Sequence, residues 1–389
     1  MPLQPATGTK DLNPQQVERN KIINNELAVI YKLWGYKEVS PPIIERLSTL
    51  MAGGAIESID ILKLVSDEAL GLRSEMTASI ARAACTRFLY TKRPLRLWTS
   101  GPVFKRHQTI EGKISIEENF QSDVEIIGIK DIHAEIELLT LLIEATNTIN
   151  KNSLYTTLHI GHTGLLELIL NEYNGELKQK IKGILVNYDL VELDKLDISD
   201  EQKDRLISIQ TSKIPPLKLL EELQSKYGEI KIVENLRRLF SVIEPLSINR
   251  QIKLNLDLTF HPNLNIYKGI VFQLVCKNKN ENITIARGGR YDELIHKFSG
   301  NKLEGAGVGF SFSIDMIREL TEKIDQLKPP NSTLILFKNR NNISAAIKRQ
   351  REYHCKGQRA LLHLEEVKDV EKAKKIIEEM EISQFELID

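Results

Sequence analysis

A chain of 389 residues, 41% hydrophobic and 27% charged, has the composition of an ordinary globular protein and the length for one large domain with an insertion or an appendage. Lys plus Arg equals Asp plus Glu, 53 of each, so no global positive field gathers nucleic acid, and no run of about 18 apolar residues exists to cross a bilayer. Cys85, Cys276 and Cys355 show no C-x-x-C spacing, which argues against a disulfide framework or a zinc site; the polar start lacks a secretory pattern, so a cytoplasmic protein is expected.

Asn13-Pro14 reads as a helix cap and first-turn proline, and Ile23, Leu27, Ile30, Tyr31 and Trp34 follow at helical spacing, which predicts a first helix. Short strands and loops are expected from there to His133. Within that stretch Arg73, Glu75 and Thr77 alternate across 72–78 as on one face of a strand, with a helix start as the rival assignment. Arg87, Lys92, Arg93, Arg96, Lys105 and Arg106 form a basic cluster that reads as a solvated face. Residues 120–128 read as a strand with Gln121, Asp123 and Glu125 on one face and Val124 and Ile126 on the other. A second amphipathic helix, with Ile136, Leu139 and Ile143 on one face, is predicted from about His133 to Ile149.

From about 165 to 244 the sequence turns charged and helix-favouring, which predicts a helical insertion between sheet-forming segments. Ile252, Leu254, Leu256, Leu258 and Phe260 then alternate, and 269–275 is an apolar run; the pair predicts adjacent strands, most simply antiparallel. Gly305, Gly307 and Gly309 precede Val308, Phe310 and Phe312 in alternation and read as close strand packing rather than nucleotide binding. After a linker at 328–332, the order strand, helix, strand, helix, strand predicts a small α/β appendage over 333–389. The expected class is α+β: a core over 1–325 carrying the insertion at about 165–244, and the small C-terminal domain.

Taken singly, each polar stripe is more often a solvent face. Both bracket 95–104, with Gly289, Arg290, Tyr291 and Asp292 downstream. Together they can converge on a small zwitterion, carboxylates accepting hydrogen bonds from an α-ammonium group while a glutamine or tyrosine orients a polar side chain. Here a family resemblance becomes specific. Arg73-Ser-Glu-Met-Thr77, Leu97-Trp98, Gly101-Pro-Val-Phe104, Gln121 and Val124-Glu-Ile-Ile-Gly128 resemble the motif 2 region of class II synthetases in its histidyl version. Tyr267 with Gly269-Ile-Val-Phe272, and Gly288-Gly-Arg-Tyr-Asp292, resemble that family's two histidine-specific segments. Gly8-Thr-Lys-Asp11, and Gly35-Tyr36 ahead of Pro41-Pro42, match in kind.

The resemblance to histidyl-tRNA synthetases covers roughly residues 6–320. It implies an antiparallel sheet of six or more strands flanked by helices, a dimer through the motif 1 region, and a histidine pocket. Glu75, Thr77, Gln121, Glu125, Tyr267 and Tyr291 match that pocket's polar lining. Core packing with a satisfied hydroxyl is the alternative for the two tyrosines.

Adenylate formation needs arginines on the ATP phosphates. At the motif 3 position this chain has Met316, and a thioether cannot replace a guanidinium. The first histidine-specific segment places His-Pro-Asn-Leu-Asn at 261–265, where synthetases carry an arginine. Lys105 and Arg106 could keep one ATP contact, but the loop at 109–118 holds only Lys113 and ends acidic. Loss of one preorganised donor costs on the order of 100-fold or more in rate. The appendage resembles a shortened anticodon-reading domain without a basic, aromatic-rich surface.

A retained pocket with adenylation and tRNA reading lost resembles the synthetase-like regulatory subunits of ATP phosphoribosyltransferase. That resemblance implies a subunit with no catalytic residue and no cofactor of its own, acting at the first step of L-histidine biosynthesis. Its partners would be a short-form catalytic subunit and L-histidine as effector, in a homodimer within a hetero-oligomer, with neither tRNA nor membrane. A divergent histidyl-tRNA synthetase, and a scaffold subunit that binds no small molecule, are the competing expectations.

Overall fold

Asn13 and Gln16 exchange hydrogen bonds as a capping box at the start of the helix Pro14–Leu33, with Pro14 in the first turn where its missing N–H costs nothing. Ile23, Leu27, Ile30 and Tyr31 are buried against the second long helix, His133–Ile149, which in turn buries Leu138, Leu139, Leu142 and Ile143. This computed structural model describes residues 3–52, 54, 58–108, 112–149, 155–211, 214–260, 266–278, 281–300, 302, 305–322, 332–380, 382 and 384–389. The segment 261–265, residues 109–111 and the linker residues 328–331 lie outside them. The chain divides into two units, Met1–Ile324 and Asp325–Asp389.

The first unit holds strands β1 (Lys37–Glu38), β2 (Ile44–Arg46), β3 (Leu70–Leu72), β4 (Leu95–Gln108), β5 (Ile114–Ile127), β6 (Tyr155–His162), β7 (Ile252–Leu256), β8 (Ile270–Asn278), β9 (Glu281–Arg290) and β10 (Gly307–Ser313). Eight of these form one sheet in the order β1-β4-β5-β10-β9-β8-β6-β7; β2 and β3 pair separately. The six central strands are antiparallel, and the two edge pairs, β1 with β4 and β6 with β7, are parallel. One face of the sheet packs on the two long helices through Trp98, Val124, Ile126, Phe310 and Phe312, with the Tyr31 and Trp98 rings 5.5 Å apart. The other face carries a second, smaller core made with the helices Thr77–Cys85 and Asp292–Ser299.

Three sequence expectations need correction. The alternating run at 252–260 and the run at 269–275 are not neighbours: β6 lies between β7 and β8, and β7 is parallel to β6. The described helices from Thr163 to Asn249 form the crossover that returns the chain parallel to β6, which no tight hairpin could do. The alternation ends at Leu256 because Asp257 accepts hydrogen bonds from the Thr259 N–H and hydroxyl, both at 2.9 Å, and turns the chain. Second, the short strands and loops expected before His133 include β4 and β5, fourteen residues each, paired from Leu95 opposite Ile127 to Gln108 opposite Ile114. Residues 114–118 of the expected loop are therefore strand. Third, 72–78 is not one strand: β3 ends at Leu72 and a helix starts at Thr77, the rival assignment for this stretch.

The basic cluster is partly consumed by structure, since Arg96 forms a double ion pair with Glu137 at 2.6 Å and Arg93 donates to the Ala84 carbonyl. Cys85 and Cys276 are buried, Cys355 is exposed, and all three are free. No helix among the described residues is long and apolar enough to cross a membrane.

The second unit is a parallel three-stranded sheet in the order β12-β11-β13, from β11 (Ser332–Phe337), β12 (Arg359–Glu366) and β13 (Gln384–Ile388). The helices Ile343–Cys355 and Val370–Glu379 connect them. Every residue of β11 is buried, with Leu334 and Leu336 in one small core and Ile335 and Phe337 in another, as a central parallel strand covered on both faces requires.

Candidate functional site

Strand parity decides which side chains face the cleft on the sheet's second face. Val124 and Ile126 point to the long helices with Phe310 and Val308 opposite them, so Gln121, Asp123 and Glu125 point the other way, opposite Ser313, Ser311 and Gly309. On β9, Arg287 and Gly289 continue those rows, opposite Ser311 and Gly309.

Glycines on this face make room for the larger groups. A Cβ at Gly309 would fall on the Glu125 carboxylate, one at Gly307 on the Tyr291 ring, and one at Gly289 within 2.7 Å of Tyr267 Cδ1. The close packing expected of Gly305, Gly307 and Gly309 is present, and at the last two it seats an acid and a tyrosine.

A cleft of about 530 Å³ opens here, within the ~300–1,000 Å³ typical of small-molecule sites. Glu75, Thr77, Gln121 and Tyr267 line it directly, with Asp123, Lys105, Arg287, Ser311 and Met316. Glu125 and Tyr291, each 1% exposed, lie beneath, joined by a 2.5 Å hydrogen bond from the Tyr291 hydroxyl to Glu125 Oε2. Thr77 lies by both layers, its side chain favouring the charged forms of both Glu75 and Glu125. The six residues matched from sequence thus fall into four that line the cleft and two that underlie it.

Glu75 sits just ahead of the helix Thr77–Cys85 and accepts from the Ala78 N–H at 3.0 and 3.2 Å, as an acid at a helix N-terminus does. Asp123 accepts from the Ser311 hydroxyl at 2.6 Å. Burial dominates all three acids. It pushes the Asp123 carboxyl up to about 7, with Glu75 adding repulsion while Ser311, Arg73 and the Met76 backbone pull it down. Glu125 is driven well above the carboxylate range by burial, and by Asp123 and Glu75 against the hydrogen bonds from Tyr291 and Thr77. Glu75 is raised by burial, against the hydrogen bonds from Ala78 and Thr77 and the charge of Lys105. Tyr267 and Tyr291 are raised above the tyrosine range by burial and then by Glu125.

The nearby cations do not neutralise this cluster. Arg73 spends Nε and Nη1 on the Pro102 and Pro41 carbonyls, at 2.9 and 3.0 Å. Lys105 shares its field between Glu75 and Glu117, and Glu117 is also held by His107 at 2.5 Å and by Asn119. Two acids in a small cleft and a third beneath it, with hydroxyl and amide groups around them, suit a ligand that brings a positive charge and further donors. Met316 in the wall brings no charge toward a phosphate.

Sequence reasoning put Asp123 on the polar stripe but not among the matched pocket residues, and left Ser311 and Arg287 out altogether. The available signal was parity: 287 shares the face of Gly289, and 311 that of Gly309, whose missing side chains mark the crowded side of the sheet.

Comparison with known proteins adds the following. The histidyl-tRNA synthetase family profile matches residues 8–317. The chain is 48% identical over 375 residues, 96% of each chain, to an ATP phosphoribosyltransferase regulatory subunit of Prochlorococcus marinus strain MIT 9303. It is 43% identical over 390 residues, the full length of both, to the protein of the same description from strain MIT 9211. Among solved structures, an ATP phosphoribosyltransferase regulatory subunit/histidyl-tRNA synthetase from Bacillus halodurans C superposes with a TM-score of 0.80 at 24% identity, covering 99% of this chain and 98% of that one. A histidyl-tRNA synthetase from Nostoc sp. PCC 7120 superposes with a TM-score of 0.79 at 17% identity, covering 98% and 90%. At these identities the two superpositions establish the class II synthetase-like fold.

Proposed function

The chain belongs to the ATP phosphoribosyltransferase regulatory subunits within the histidyl-tRNA synthetase family, and from that premise we propose that it governs a short-form catalytic subunit through L-histidine bound in the cleft. The partner transfers a phosphoribosyl group to ATP at the first step of histidine biosynthesis, and histidine, the end product, feeds back on it. The observation that carries the ligand is the desolvated acidic cluster of Glu75, Asp123 and Glu125 around Thr77. An α-ammonium group takes the place of the protons that burial forces onto these acids, and Gln121 and Tyr267, which line the cleft, orient the imidazole.

Regulation follows by linkage. Histidine shifts the assembly only by the difference in its affinity for the active and inhibited arrangements. Val29, Leu33, Ile43 and Ile44, apolar and exposed on the first helix and at the start of β2, support a homodimer inside the hetero-oligomer. Met316 at the motif 3 position supports a subunit that does not activate amino acids.

Calorimetric titration of the full chain with L-histidine, and separately with ATP and magnesium, tests this reading. Saturable histidine binding is expected, weakened about 10- to 100-fold by Glu75→Gln through loss of a charge-assisted contact in the cleft lining, with no histidine-dependent pyrophosphate exchange. Absence of histidine binding both to the chain and to its complex with the catalytic subunit would leave a scaffold role. Pyrophosphate exchange would return the protein to the aminoacylating enzymes.

A further inference from the structure

Among the cations of the cleft, Arg287 stands apart. Among the described residues no hydrogen bond or ion pair engages its guanidinium, whereas Arg73 is tied to two carbonyls and Lys105 is shared by two glutamates. Its strand position is fixed: Arg287 lies opposite Ser311, which lies opposite Asp123, so acid, hydroxyl and guanidinium form one row across three strands on the cleft face. At the usual strand spacing the backbones of Asp123 and Arg287 are about 10 Å apart, with the cleft above the row between them. The Arg287 charge also reaches the Tyr267 hydroxyl, on the same wall.

Resting on the histidine reading of this cleft, we propose that Arg287 binds the ligand's carboxylate and so selects an α-amino acid over the corresponding amine. A zwitterion laid along the row turns its ammonium toward Glu75 and Asp123 and its carboxylate toward Arg287. The guanidinium presents a planar fork of donors that matches the two carboxylate oxygens, which a lysine at this position does not. An amine without the carboxylate meets the acids but leaves the arginine unused.

The test is calorimetric titration of the full chain with L-histidine and with histamine, repeated on Arg287→Gln, Arg287→Lys and Glu75→Gln. The unaltered chain is expected to prefer histidine over histamine by about 10- to 100-fold, the range for hydrogen bonds to a charged group. Arg287→Gln brings the two affinities together by weakening histidine alone, and its unchanged histamine affinity shows that the cleft is intact. Arg287→Lys lies between, and Glu75→Gln weakens both ligands. A histidine-to-histamine ratio that survives Arg287→Gln, or is absent from the unaltered chain, overturns the proposal while leaving the histidine pocket standing. A chain that binds neither ligand, alone or in complex with the catalytic subunit, overturns both.

Discussion

In the folded chain the Asp123 carboxyl is raised from 3.8 to about 7, first by burial and then by the charge of Glu75, against the pull of Ser311, Arg73 and the Met76 backbone. The folded state therefore holds a proton that the unfolded chain has already released. Stability from this group is complete below about pH 3.8 and is lost as pH rises through about 7; Glu75 and Glu125, raised in the same direction, add to it. The unliganded protein should lose stability, on the order of a few kcal/mol, across that window, and Asp123→Asn should flatten the profile in thermal melts against pH. Histidine binding near neutral pH should release protons, read as a binding enthalpy that changes with the ionisation enthalpy of the buffer. A pH-independent stability, or no proton release, contradicts this account of the cluster. The glycines of the same face give a second prediction. Gly309→Ala drives a Cβ into the Glu125 carboxylate and should cost about 2–3 kcal/mol in denaturant unfolding, together with loss of histidine binding.

At the level of elements, helices carried clear sequence signals and strand neighbours did not. Asn13-Pro14 with apolar residues at helical spacing led to a helix that begins at Pro14, and the amphipathic stretch from His133 to one that ends at Ile149. Both are local patterns. The pairing of β7 with β6 depends on where the long helical crossover, Thr163 to Asn249, returns the chain, and nothing within 252–260 encodes that. The lining of the cleft was legible where motifs fixed identity, as for Glu75, Thr77, Gln121 and Tyr267. The depth of Glu125 and Tyr291 was not, because it depends on Gly307 and Gly309 lying beside them across strands distant in sequence. The charged insertion also offers a test free of the site. Gly183 lies inside the helix Gly175–Val186, and a Cβ added there would meet nothing within 4 Å, so Gly183→Ala should stabilise the protein by about 0.5–1 kcal/mol without altering histidine affinity.

For the whole molecule, a synthetase-type sheet keeps a crowded acidic cleft while Met316 occupies its wall at the motif 3 position, and membership among the regulatory subunits implies a catalytic subunit as partner. Removing charge from the cleft should therefore separate two properties that a purely structural role would keep together: support of the partner's activity and its restraint by histidine. The direct measurement is the rate of phosphoribosyl transfer to ATP by the short-form catalytic subunit, reconstituted with the unaltered chain or with Glu75→Gln, as L-histidine is increased. The account predicts that both chains raise the partner's activity, that histidine suppresses it with the unaltered chain, and that suppression by Glu75→Gln requires about 10- to 100-fold more histidine. Equal histidine sensitivity with the two chains would contradict it, and would place the effector site outside this cleft.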